Sequence, residues 1–296
     1  MQDKTIKSIL KKKMNDWVNN VDDIDIKTII KNKTIITGGA IVSLFNNEEP
    51  KDYDVYVKDK ESAKKIAQYY VDKFNNAHPD TKAEVKEEEQ DRIKIYIASR
   101  GVASEDENIL EEPFEDAVDV IQEADEIPAD KLEGDEKEKY RPVFLSSNAI
   151  TLSDKIQIVV RFYGDAETIH STYDFLHCTS WYDTKEGTLN YTPECLRSIM
   201  DKQLIYMGSK YPVCSIIRLR KFIKRGWHVN AGQILKALFQ VSQLDLTNIK
   251  VLEDQLVGVD SAYFMMLIDA LKKKIDKDED FVINEGYLIS IIDKIF

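Results

Sequence analysis

The amino-acid sequence predicts an α/β fold of the α+β kind, with a mixed sheet flanked by helices over residues 1–185 and an all-helical C-terminal region over residues 186–296. Three observations carry that expectation. Strand-like alternation is interleaved with helical periodicity through the first half, and the pattern from Thr192 onward is helical. A chain of 296 residues with 43% hydrophobic composition is also long enough to bury a core and divide into two parts.

Taken in order, Lys4 to Val18 reads as an amphipathic, Lys-rich helix and Asp25 to Lys31 as a short one. The apolar run Thr34 to Thr37 reads as a strand ended by Gly38-Gly39, and Ala40 to Phe45 as the start of a helix. Asp52 to Val57 alternates like a half-buried strand. In Lys60 to Phe74 the residues Ala63, Ile66, Ala67, Tyr70 and Phe74 recur at helical spacing. Lys82 to Glu88 and Arg92 to Ala98 are expected to extend the same sheet, since Ile93, Ile95 and Ile97 alternate with polar neighbours.

Val102 to Arg141 is acidic, holds Pro113 and Pro128, and has only scattered apolar residues, the composition of an insertion or surface loop. Order resumes with strands in Val143 to Leu152 and Ile156 to Phe162, then a helix at Asp165 to Ser171 leading into Tyr173 to Trp181, the sheet ending near Asp183. The C-terminal helices are expected at Pro193 to Met207, Val213 to Arg225 closed by Gly226, Ala231 to Val241, Ser261 to Ile275 and Glu285 to Ile295.

Composition narrows the function classes. No apolar run approaches the roughly 18 residues that cross a bilayer, and the N-terminus lacks a signal-peptide core, so a soluble cytoplasmic protein without a membrane partner is expected. Cys178, Cys195 and Cys214 are too far apart for a Cys-x-x-Cys metal pair, and the four histidines form no helical ligand pair, which excludes a zinc site. The net charge of −12 is local: residues 105–141 hold 16 acidic against 4 basic side chains and account for all of it. The remainder is formally neutral, so the overall sign does not exclude a polyanionic partner.

The chemistry-bearing pattern is a strand, then Gly38-Gly39, a helix, and Asp52-Tyr53-Asp54-Val55 opening the next strand. Two glycines permit a tight turn and close approach of a phosphate, and the amides at the following helix start supply donors and a favourable dipole. Thr37 and Ser43 add hydroxyls. Residues two apart on a strand share a face, so Asp52 and Asp54 project together while Tyr53 and Val55 enter the core. Paired carboxylates of this kind hold divalent cations for phosphoryl transfer.

These residues resemble the fingerprint of the DNA polymerase β-like nucleotidyltransferases, and the Gly-Gly form is similar to the poly(A) polymerase and CCA-adding branch. Where that branch usually has an Arg-Asp pair, this chain has Ala40-Ile41-Val42-Ser43. The resemblance implies a nucleotidyltransferase-type sheet and transfer of a nucleoside monophosphate from a nucleoside triphosphate to an acceptor hydroxyl, with pyrophosphate released. It further implies Mg2+, or Mn2+ in its place, on Asp52 and Asp54, and a third carboxylate on a later strand. Asp174 is the candidate because Tyr173-Asp174-Phe175 repeats the apolar-Asp-apolar pattern, with Asp183 as a weaker rival. The surrounding segment, Ile156 to Asp174, also resembles phage nucleotidyltransferase-like proteins.

Arg161, in the strand Ile156 to Phe162, is either an edge-strand residue facing solvent or a triphosphate contact. The cluster Arg218, Arg220, Lys221, Lys224 and Arg225, followed by Trp227, is either a solvated helix face or a grip on nucleic acid, and it makes an RNA 3′ end the favoured acceptor. His170 and His177 have no nucleophile in a triad-like context and are expected at the surface. The competing reading is a catalytically inactive binding or structural protein of the same fold, from a phage; a phage-encoded protein is expected in the host cytoplasm or the virion.

Overall fold

The structure, a computed structural model, describes residues 1–79, 81–88, 92–99, 138–146, 148–256 and 286–290. The acidic insertion and the helix expected at Ser261 to Ile275 lie outside the described residues, apart from the insertion's last few positions. The helix expected at Glu285 to Ile295 is described only at residues 286–290, which are helical. The chain forms two compact units that divide between Gln203 and Leu204, later than the boundary near 185 drawn from sequence.

In the first unit, α1 (Asp3–Asn19) and α2 (Ile24–Asn32) precede β1 (Thr34–Thr37), α3 (Gly39–Phe45), β2 (Tyr53–Val57) and α4 (Lys60–Ala77). Short polar side chains start the helices where the sequence places them. Asp23 accepts from the Asp25 and Ile26 amides at the head of α2, and Asp59 from the Ser62 amide at the head of α4. Then follow β3 (Thr81–Glu88), β4 (Arg92–Ser99), β5 (Pro142–Leu145), β6 (Ala149–Leu152), β7 (Ile156–Tyr163), α5 (Ala166–His170), a 3₁₀ turn (Leu176–Cys178), β8 (Trp181–Asp183), β9 (Thr188–Asn190) and α6 (Pro193–Met200).

The mixed α/β architecture is the expected one. Seven strands form one sheet in the order β5-β6-β7-β2-β1-β8-β9, with β2 and β7 parallel and the other pairs antiparallel. Two expectations are corrected. β3 and β4 do not extend this sheet but pair with each other as a separate two-stranded sheet, turning Ala83, Ile93 and Ile95 inward. The sheet also continues past Asp183 to Asn190, because the turn at Gly187 (φ 65°) folds β9 back on β8.

The two faces of the sheet differ. Registers put Ile36, Val55, Ile158 and Tyr182 on one face, all buried, with α2, α3 and α4 packed on this part of the unit. The other face carries Ile35, Thr37, Asp54, Tyr56, Val159 and Trp181. A thin cover lies over it, made by Ile169 of α5 with Phe162, Ala166 and Tyr173. Alternation along β2 therefore sends Val55 to the thick core and Asp54 to the thinly covered face.

In the second unit, α7 (Pro212–Lys224) packs with α8 (Ala231–Val241) and α9 (Ile249–Leu256). The helix expected to run from Pro193 to Met207 stops at Met200; Lys202 has φ 46°, which breaks the helical path. α7 ends as expected: Gly226 (φ 81°) lets its own amide reach the Ile223 carbonyl and the Trp227 amide reach the Phe222 carbonyl.

Candidate functional site

The site is built around the end of β1. Gly38 caps α3 with φ 86° and ψ −141°, a conformation that a residue with a side chain adopts only under strain. A side-chain carbon at Gly38 would start 3.5 Å from Asp54 Oδ2 and 3.8 Å from the Tyr173 hydroxyl. The Asp54 carboxylate therefore faces the glycine turn. A carbon at Gly39 would meet nothing within 4 Å. α3 has only seven residues and no side-chain cap, so its first amides have no intrahelical acceptor, while its dipole is short.

Asp52 lies one residue ahead of β2 and is exposed, and Asp54 is half-buried on the strand. Ser43 is half-buried one turn into α3. Among the described residues, no three His, Cys, Asp or Glu side chains converge as a metal-holding group. Asp174 is buried in a bend before the 3₁₀ turn instead of on a strand, and its charge acts on His177. The apolar-Asp-apolar pattern reads as a strand, yet the Tyr173 amide bonds the His170 carbonyl and the Cys178 amide bonds the Phe175 carbonyl, which are turn contacts. Asp183 is tied to Lys58 at 2.6 Å.

The donor set still suits a hard cation. Magnesium commonly takes one or two protein carboxylates and completes its shell with water and substrate phosphate. The Asp54 carboxylate, with Asp52 two residues before it, is of that kind and borders a backbone open enough at Gly39 to admit a phosphate.

Sequence reading missed two side chains at this site, His170 and Tyr173. Thr37, fully buried, donates its hydroxyl proton to the Ser180 carbonyl at 2.8 Å, and His170 Nε2 lies 2.8 Å from Thr37 Oγ1. With that proton committed to a carbonyl, Thr37 accepts from His170, which places the imidazole proton on Nε2. Burial lowers the His170 pKa to about 4, so the ring is neutral at physiological pH. His170 is therefore not a surface residue without a role. Its ring sits 5.2 Å from Tyr173 and 5.5 Å from Trp181, centroid to centroid.

Tyr173 is the second. Burial first, then Tyr56 and Asp54, push its pKa well above the usual value, so the phenol remains a protonated donor beside Asp54. The sequence signal was its adjacency to Asp174, which drew attention to the carboxylate instead. His177 is fully buried, also contrary to expectation, and burial lowers its pKa to about 4 against an opposing contribution from Asp174.

Arg161 is 6% exposed, and β7 lies between β6 and β2, so it is neither on an edge strand nor facing solvent. Its guanidinium stacks over the Phe162 ring at 5.1 Å. In the second unit, Arg220, Lys221, Lys224 and Arg225 are exposed along α7 and just beyond it, and Arg218 is half-buried. Trp227 is 6% exposed and packs on Phe222 at 5.8 Å, so it is not a free platform for a base.

Among the described residues, no helix is long and apolar enough to cross a membrane. In solved structures, the chain is similar to the Thermotoga maritima CCA-adding enzyme complexed with tRNA (TM-score 0.40, 12% identity, 88% of this chain and 54% of that one). It is also similar to a tRNA nucleotidyltransferase complexed with a primer tRNA and an incoming ATP analog (TM-score 0.35, 14% identity, 86% of this chain and 62% of that one). Among curated proteins, Gabija anti-defense 2 of Bacillus phage SPbetaL7 is 21% identical over 271 residues, 88% of this chain. The chain spans about half, 52%, of that relative's length. A family model described as Gabija anti-defense 2 family protein matches residues 8–202. Since that match takes in well over half of the chain, from α1 through the glycine turn and Asp54 to the end of the first unit, the chain belongs to the Gabija anti-defense 2 family.

Proposed function

We propose that the chain is a metal-dependent nucleotidyltransferase that moves a nucleoside monophosphate from a nucleoside triphosphate to an acceptor hydroxyl and releases pyrophosphate. The observation that carries this reading is the Asp54 carboxylate facing the Gly38 turn, with Oδ2 3.5 Å from the position a side chain would fill. A phosphate seated on the Gly38-Gly39 backbone would have a hard anionic ligand beside it. Magnesium held by Asp52 and Asp54 would neutralise phosphate charge there. The residues of the chain supply the rest: Gly39 would leave space for the phosphate, the Tyr173 phenol beside Asp54 would donate to one of the phosphate oxygens, and Thr37 fixes the end of β1 beneath the turn.

The β1-Gly-Gly-α3-β2 order, similar to polymerase β-like enzymes, supports the reading, and the exposed cations of α7 support an RNA acceptor. Family membership supports a setting in which the transfer acts against a Gabija defence.

The test is to incubate the protein with labelled triphosphates, magnesium and mixed acceptors beside an Asp52→Asn, Asp54→Asn double variant. Transfer by the wild type alone is the expected outcome. If neither protein transfers label, and neither gains thermal stability from triphosphate plus metal, the chain is a binding protein that keeps the fold without turnover.

A further inference from the structure

We infer that the outward face of α1 is a docking surface for the phosphate backbone of a nucleic acid, separate from the cations of α7. α1 gives its apolar residues to the interior, where Ile6, Leu10, Met14, Trp17 and Val18 are buried. On the opposite side Lys4, Lys7, Lys11 and Lys12 are exposed and interleaved with Ser8 and Asn15. At 3.6 residues per turn these six fall in one continuous arc. The helix's acids stand at its margins and are engaged elsewhere: Asp3 accepts from the Tyr191 hydroxyl at 2.7 Å and Asp16 from Tyr140 at 2.8 Å.

The distinguishing feature is that four exposed lysines without a carboxylate partner among the described residues share one helix face. Several lysines elsewhere in this unit meet carboxylates, as Lys33 meets Asp59, Lys64 meets Glu87, Lys73 meets Glu138 and Lys155 meets Glu49. Among the described residues, none of Lys4, Lys7, Lys11 and Lys12 lies within 4.0 Å of a carboxylate. Like charges three and four residues apart oppose helix formation, so a polyanion laid along the face relieves a repulsion already present in the fold.

The chemistry favours a nucleic acid over a membrane or an acidic protein. No apolar side chain of α1 is exposed, so a bilayer gains no insertion there. Lys4 to Lys11 covers about 10.5 Å of helix axis, and a duplex strand presents a phosphate about every 3.4 Å of its axis, so about three phosphates face that stretch. The Ser8 hydroxyl and Asn15 amide between the lysines are donors of the type that contact phosphate oxygens.

The experiment needs no enzymatic activity. Binding of the full chain to a labelled single-stranded oligonucleotide and to a duplex is followed by anisotropy between 50 and 200 mM salt. The wild type is compared with a Lys4→Gln, Lys7→Gln, Lys11→Gln, Lys12→Gln variant, whose exposed substitutions leave the core intact, a point checked by melting. The expected result is a loss of at least tenfold in affinity at 50 mM salt and a log–log salt slope shallower by about 3. An Arg220→Gln, Lys221→Gln, Lys224→Gln, Arg225→Gln variant is the comparison. Loss of binding in that variant alone, or no binding by the wild type at 50 mM salt, overturns the inference. It also fails if poly-glutamate of matched charge, or anionic vesicles, bind as tightly as the oligonucleotides with the same dependence on α1.

Discussion

Asp54 Oδ2 stands 3.5 Å from the point at which a Gly38 side chain would begin, so one carboxylate and one missing side chain define the same small space. The two glycines contribute differently to it. Gly38→Ala forces a side chain into a glycine-only conformation against Asp54, and should destabilise the protein by about 1–3 kcal/mol. Gly39→Ala meets no atom within 4 Å and sits in a helix, so its melting temperature should equal or slightly exceed that of the wild type. Its stabilisation by triphosphate plus magnesium should nonetheless fall, because the added methyl occupies the phosphate space. Equal triphosphate shifts in Gly39→Ala and wild type would remove the phosphate from this turn.

Tyr173→Phe separates the phenol from the ring. The ring packs in the apolar cover with Ile169, Tyr56 and Trp181, and phenylalanine retains that packing. The hydroxyl contributes its hydrogen bonding with Tyr56 and Thr37 and its position beside Asp54. The expected outcome is a stability loss of about 1 kcal/mol and triphosphate binding weakened by a few-fold to tenfold. A stability loss with unchanged binding, measured by titration calorimetry, would confine Tyr173 to the scaffold.

These two residues mark how far the sequence was legible. Strand, glycines, helix and strand are local signals, and the order β1, α3, β2 follows from them because alternation and positive φ need no distant partner. Alternation in β3 and β4 identified strands correctly but said nothing of their partner, and they pair with each other. Tyr173-Asp174-Phe175 shows the limit of the pattern, since a buried bend and a half-buried strand both set apolar residues around a polar one. His170 was not legible at all. Its bond to Thr37 joins positions 133 residues apart and arises only once α5 lies across the sheet.

His170 and His177 predict an acid sensitivity above the carboxylate range. Burial lowers both pKa values from 6.5 to about 4, so as pH falls the unfolded chain takes up protons first. Their contribution to stability is complete above about pH 6.5 and is lost as pH falls toward 4. His177, the more deeply buried, should account for on the order of 3 kcal/mol over that range; the partly solvated His170 should account for less. Denaturant unfolding between pH 7 and 5 should show His177→Asn with a shallower loss of stability than the wild type. Parallel curves for the two proteins would mean that the ring is protonated in the folded state.

Asp183 was the rival third carboxylate, and its contacts assign it to the scaffold. Oδ2 meets Lys58 Nζ at 2.6 Å, with the two side chains only 17% and 27% exposed, and Oδ1 accepts from the Lys185 and Glu186 amides at 3.0 and 3.2 Å. These bonds hold the turn that brings β9 back onto β8, and they lower the Asp183 pKa despite partial burial. Asp183→Ala removes an ion pair and two amide acceptors together, and about 1–3 kcal/mol of stability should be lost. Glu49→Gln gives the scale for comparison. Glu49 meets Lys155 while its own side chain is 81% exposed, and its loss should cost far less, because solvent screens the pair. The decisive measurement is the triphosphate-plus-magnesium shift in melting temperature. A scaffold residue lowers the starting temperature and leaves the shift intact, whereas a metal ligand removes the shift, so an unchanged increment in Asp183→Ala beside a lost one in Asp54→Asn separates the two roles.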